Sequence, residues 1–118
     1  MDKSDRGQQA EKRACKFLQQ KGFILKQSNY RCKLGEIDLI MQDDNVLVFI
    51  EVRYRKSDYF GSGAETVDSR KQKKLILSAK HYLSKQSKHD QACRFDVISL
   101  SGSLQTGRIE WIPNAFDS

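Results

Sequence analysis

The chain has 118 residues, room for one domain with its own core, and a single domain over 1–118 is the expectation. Hydrophobic residues make up 38% and charged residues 31%, with one proline and seven glycines, which argues against a disordered or low-complexity chain. Lysine and arginine outnumber acidic residues to give a net charge of +6, which suits a polyanionic partner, either nucleic acid or an anionic membrane surface.

Cys15, Cys32 and Cys93 are widely spaced and form no CxxC pair or Cys/His cluster, so buried, reduced thiols are expected rather than zinc ligands or a disulfide framework. The first residues, MDKSDRGQQAEKRACKF, are polar and carry no apolar signal region. The longest wholly apolar run, VLVFI, is too short to span a bilayer. A cytoplasmic location without membrane association follows as an expectation.

In chain order, Ala10, Ala14, Phe17 and Leu18 recur at helical spacing and Gly22 makes a C-terminal stop, so a first helix is expected over about 4–21. FILKQSNYR (23–31) reads as a first strand. EIDLIM and VLVFIEVRY follow as two strands joined by the acidic turn QDDN, and their near-continuous apolar character implies cover on both faces. A loop with Gly61 and Gly63 leads to a second helix over about 66–86, capped by Ser69 with Gln72, by Thr66 or by Asp68. CRFDVISL is a fourth strand, and GRIEWIP is a fifth, placed at an edge and stopped by Pro113. The order is α-β-β-β-α-β-β, an α/β fold with one mixed β-sheet flanked by helices.

Two carboxylates interrupt the most apolar strands. Glu36, Asp38 and Ile40 share one face of the second strand; Leu47, Phe49, Glu51, Arg53 and Arg55 share one face of the third. If Gln42 pairs with Leu47, Asp38 lies opposite Glu51. If it pairs with Asn45, the two are diagonal neighbours. Pairing with Val46 separates them. Adjacent buried carboxylates destabilise a sheet unless something positive compensates. That is either a hard divalent cation such as Mg²⁺ or an ion-pair cluster with Arg53, Arg55 or a helix lysine.

GEIDLI followed by VFIEVRYR resembles the D…(D/E)xK core of the PD-(D/E)xK nuclease superfamily. With the helix containing Glu11, the helix beginning ETVDSRKQKKL and the strand RFDVI, the chain more closely resembles the uncharacterised bacterial YraN-type family, whose members are similar to Holliday-junction resolvases. The resemblance covers nearly the whole chain and implies a restriction-endonuclease-like sheet. It implies Mg²⁺ or Mn²⁺ held by Glu11, Asp38 and Glu51, with the Val52 carbonyl as a further donor. The superfamily's catalytic lysine falls at Arg53. Arginine stabilises phosphate charge but is too basic to serve as a general base. Lys71, on the apolar stripe of the second helix between Val67 and Leu75, is a stand-in, or else snorkels outward. The catalytic set is then Asp38, Glu51, Arg53 and Lys71.

Positive charge concentrates beside that set. Arg70, Lys71, Lys73, Lys74, Lys80, Lys85 and Lys88 face only Asp68 in the segment 66–89, and Arg53, Arg55 and Lys56 add to them. Arg53, Arg55, Lys56, Arg70, Lys71 and Lys74 are the expected nucleic-acid contacts, acting on phosphates rather than bases. His81 and His89 read as surface or packing residues. Asp96 reads as an approach to the site or an ion pair with Arg94. The leading expectation is a metal-dependent endonuclease acting on structured or branched DNA, in repair or recombination and as a homodimer by analogy. The alternatives are a non-catalytic nucleic-acid-binding module, which Arg53 favours, and a protein-interaction scaffold.

Overall fold

The computed structural model describes residues 5–56, 67–87 and 90–117. The glycine loop at 57–65, Thr66, Lys88 and His89 lie outside the described residues. The elements are α1 (Asp5–Gln20), β1 (Ile24–Cys32), β2 (Gly35–Asp43), β3 (Val46–Arg55), α2 (Ser69–Lys85), β4 (Cys93–Ser101) and β5 (Arg108–Phe116). The strands form one mixed sheet in the order β1-β2-β3-β4-β5. Only β3 and β4 are parallel, and the segment between them carries α2. This is the α/β mixed sheet flanked by helices, in the order read from the sequence.

Each helix covers one face. Ala10, Ala14 and Leu18 of α1 pack with Leu39, Met41, Val48, Ile50, Ile98 and Leu100. Leu75, Ala79 and Tyr82 of α2 pack with Ile37, Ile40, Leu47, Phe49, Phe95 and Val97 on the other face. The central strands are therefore apolar on both sides, which is why β2 and β3 read as continuous runs rather than alternating ones.

The β2–β3 ladder pairs Gln42 with Leu47, the register that sets Asp38 opposite Glu51. Its loop is tighter than QDDN implied: Asp43 pairs with Val46, and Asp44 takes the left-handed conformation (φ 53) that aspartate tolerates. Asp68 is the α2 cap; its side chain accepts from the Lys71 N–H at 2.9 Å, so the helix starts at Ser69 rather than 66.

Two expectations are corrected. Pro113 does not stop β5, which runs on to Phe116. β5 is an edge strand with a register shift opposite Phe95 and Val97, so a residue without an N–H leaves no ladder bond unmade there. Asn114 follows with φ 50, and its N–H donates to Asp96 Oδ1 at 2.9 Å. Nor are all three thiols buried: Cys15 is, Cys32 is half-buried, and Cys93, at the start of β4, is exposed.

Among the described residues, no helix is long and apolar enough to cross a membrane.

Candidate functional site

The site forms where strand alternation fails. Ile37 and Ile40 belong to the α2-side core, Leu39 and Met41 to the α1-side core. A regular strand would put Ile37 and Leu39 on one face, so β2 reverses its facing at Asp38. The neighbouring strand distorts at the same level. The β1–β2 register runs from Ser28↔Leu39 to Tyr30↔Ile37, and between them Asn29, opposite Asp38, is left-handed (φ 52). On the other side, the β2–β3 ladder has its last pair at Leu39↔Ile50. The next β3 donor, the Val52 N–H, is taken by the Asp38 carboxylate at 2.8 Å. Asp38 thus replaces a ladder carbonyl and closes the gap left by the splayed strand.

Glu51 lies beside Asp38, and both are buried. Arg53 Nη1 is 3.2 Å from Glu51 Oε2, and Lys71 Nζ is 3.6 Å from the same oxygen. Burial first, and then the adjoining Asp38 charge, push the Glu51 carboxyl from 4.5 up to about 7, against the opposing pull of Lys71 and Arg53. Glu51 therefore titrates near neutrality, even with two cations in contact.

Asp38, Glu51, Arg53 and Lys71 are brought together as expected. Arg55 is half-buried at the end of β3, while Lys56, Arg70 and Lys74 are exposed, the last two on α2 beside Lys71. Lys71 does leave the apolar stripe, but its amine reaches Glu51 instead of pointing only to solvent. Glu11 is buried on α1 and lines a cavity of about 310 Å³ whose walls include Ser28, Asn29 and Arg31 but neither Asp38 nor Glu51. Among the described residues, no group of three or more His, Cys, Asp or Glu that could hold an ion is found.

The pair nonetheless fits a hard divalent cation. It presents hard carboxylate oxygens from two neighbouring strands at one buried point, with Arg53 and Lys71 beside Glu51. Mg²⁺ commonly takes one or two carboxylates and completes its shell with water and phosphate oxygens.

Asp96 serves the fold instead. Its fully buried carboxylate accepts from Arg94 Nε at 3.0 Å, Trp111 Nε1 at 2.9 Å and the Asn114 N–H, tying β4 to β5. His81 is half-buried and hydrogen-bonded to the Tyr30 hydroxyl, a packing role. Asn29 went unread in the sequence. The signal was there: an asparagine inside a strand pattern is the residue type that accepts φ > 0.

Residues 10–100 match the model of the uncharacterised protein family UPF0102. The UPF0102 protein of Nitrosomonas europaea is 49% identical over 96% of this chain and 94% of its own length. That of Nitrosococcus oceani is 46% identical over 95% and 91%. That of Hahella chejuensis is 49% identical over 95% and 90%.

Proposed function

The chain belongs to the uncharacterised protein family UPF0102, the YraN-type family it resembles, and from that premise we propose that it is a divalent-metal-dependent endonuclease acting on structured or branched DNA. The observation that carries the proposal is the buried Asp38–Glu51 pair at the point where β2 and β3 splay, with Arg53 and Lys71 on Glu51. Asp38 and Glu51 would hold Mg²⁺ or Mn²⁺. The bound cation would supply activated water and Lewis-acid polarisation of the scissile phosphate. Asp38 is held for this by the Val52 N–H, and both carboxylates sit on strands, which are stiffer supports than loops. Arg53 and Lys71 stabilise charge on the phosphate oxygens, and neither is required as a base. Arg55, Lys56, Arg70 and Lys74 hold the flanking backbone by charge, independently of sequence.

One observation favours a second reading. Both cations that would serve phosphate contact Glu51 in the structure, an arrangement that also suits a binding module in which an ion-pair cluster has replaced catalysis. Cleavage of labelled branched, flapped and single-stranded DNA with Mg²⁺ or Mn²⁺, wild type beside Glu51→Ala, decides between them. Cleavage that disappears in the variant supports the nuclease. Binding without cleavage by either protein transfers the proposal to the binding module.

A further inference from the structure

We infer that the groove between α1 and the β4–β5 turn is a second nucleic-acid surface, one that takes a single strand. The inference rests on the reading above only in taking nucleic acid as the partner; the location and the strandedness are new.

The groove has a volume of about 570 Å³. Lys12, Arg13 and Lys16 line it together with Phe17, Leu104 and Gln105, and among the described residues no carboxylate does. Lys12 and Lys16 are exposed and stand four residues apart, so they point the same way from one face of the helix, about 6 Å apart along its axis. The far wall is fixed. Arg13 donates to the carbonyls of Ser103 at 3.4 Å, Leu104 at 3.2 Å and Gly107 at 2.6 Å, which clamps the turn to the helix. Nη1 and Nη2 of the guanidinium are thus engaged by main-chain oxygens. An open groove with Lys12 and Lys16 exposed along it and Phe17 and Leu104 in its lining therefore lies on the α1 side.

Chemistry selects the occupant. A duplex turns its phosphates outward and hides its bases, so it leaves the apolar part of the lining unused. A single strand offers phosphates to Lys12 and Lys16, and apolar base surface to Leu104 and to the part of the Phe17 ring that Lys21 and Trp111 leave uncovered. Gln105 adds an amide donor for a base edge, its Oε1 accepting from the Ser103 hydroxyl at 3.1 Å. The surface is distinct from the basic face of α2, because α1 and α2 cover opposite sides of the sheet. It also leads somewhere. Lys12 lines both this groove and the 310 Å³ cavity that holds Glu11, so a strand in the groove is directed toward the latter. Two separated surfaces, one for a single strand and one for flanking duplex, match a substrate in which the two meet.

The test is fluorescence-anisotropy binding in EDTA, as a function of salt, with oligothymidylate and with a blunt duplex. Wild type is compared with Lys12→Ala/Lys16→Ala, Lys12→Glu/Lys16→Glu and, on α2, Lys73→Glu/Lys74→Glu. The α1 alanine pair is expected to lower the salt slope for the single strand by about 1.4, the value for two lost phosphate contacts. The α1 charge reversal is expected to weaken single-strand binding by at least about tenfold and duplex binding by less than about twofold. The α2 reversal is expected to act mainly on the duplex. Equal losses for both nucleic acids on α1 reversal would overturn the inference, as would competition by polyglutamate as effective as that by the oligonucleotide. An effect of the α2 pair with none from the α1 pairs overturns this inference alone. A wild type that binds neither nucleic acid overturns the reading above along with it. All the substituted lysines are exposed, and unchanged melting curves confirm that the variants remain folded.

Discussion

The Glu51 carboxyl makes a quantitative prediction about stability. Its folded value of about 7 exceeds the ordinary 4.5. Between those two pH values the folded chain binds a proton there that the unfolded chain has released, so stability falls as pH rises through the window. Below 4.5 both states are protonated and the penalty is absent; above about 7 it is fully present. At ~1.4 kcal/mol per pH unit the window is worth about 3 kcal/mol. For a chain of this size that is roughly 10 °C in Tm. Other groups titrate as well, so the comparison is with Glu51→Gln, which keeps the neutral shape at every pH. The variant is expected to match the wild type near pH 4.5 and to exceed it by about 3 kcal/mol at pH 8, read by urea unfolding in EDTA. Mg²⁺ should then recover stability at pH 8 in the wild type only, because an ion held by the native carboxylates raises apparent stability by mass action. A difference between the two proteins that stays flat from pH 4.5 to 8 would refute the reasoning. It would mean that Arg53 and Lys71 already neutralise the pair.

Three further outcomes are expected. Asp38→Asn should keep the Val52 N–H bond, since an amide oxygen also accepts, and should lose the Mg²⁺-dependent rise in melting temperature; a rise equal to that of wild type sinks the metal assignment. Arg53→Ala should cut cleavage by about 100-fold, the scale of one lost charge-stabilising contact in a transition state, while binding in EDTA falls far less; equal losses in both would make Arg53 a binding residue only. Asp96→Ala leaves Arg94 and the Trp111 N–H without their buried acceptor and should cost about 3 kcal/mol by chemical denaturation. A cost under about 1 kcal/mol would mean the pocket relaxes or admits water at little penalty.

Much of this was legible because the elements obey local rules. Helical spacing in α1 and the β-branched runs of β2 and β3 follow from side-chain geometry, and the pairing of Asp38 with Glu51 was one of a few registers the turn permits. What escaped was context. Pro113 looks like a stop because its ring removes a donor, yet whether that donor is needed depends on which ladder lies beside it, a tertiary fact. Cys93 reads as a small hydrophobe, but the first residue of a strand can lie at the rim of a sheet. The position of Glu11 beside Ser28 and Asn29 depends on how α1 lies on the sheet, which periodicity does not encode. Lys71 was legible as an anomaly, a lysine on an apolar stripe, though its partner was not.

The reversal at Asp38 explains why the carboxylates interrupt these strands at all. A carboxylate in the interior of a regular ladder has no backbone donor available, since each N–H is already paired. Only a strand that leaves the ladder frees one. Here Asn29, left-handed on β1, and the early end of the β2–β3 ladder free the Val52 N–H, and Asp38 takes it. The same departure brings a second carboxylate alongside without a β2 main chain between them. The distortion and the charge pair are thus one feature. Replacing Asn29 with a β-branched residue, which resists φ > 0, tests the link. Asn29→Val is expected to lower stability by about 1–2 kcal/mol from backbone strain. It should also reduce the pH-dependent difference at Glu51 by the share that the Asp38 charge adds to burial, because Asp38 would no longer be held beside it. Asn29→Gly should preserve both. A valine variant that loses stability but keeps the full pH dependence would separate the backbone reversal from the site.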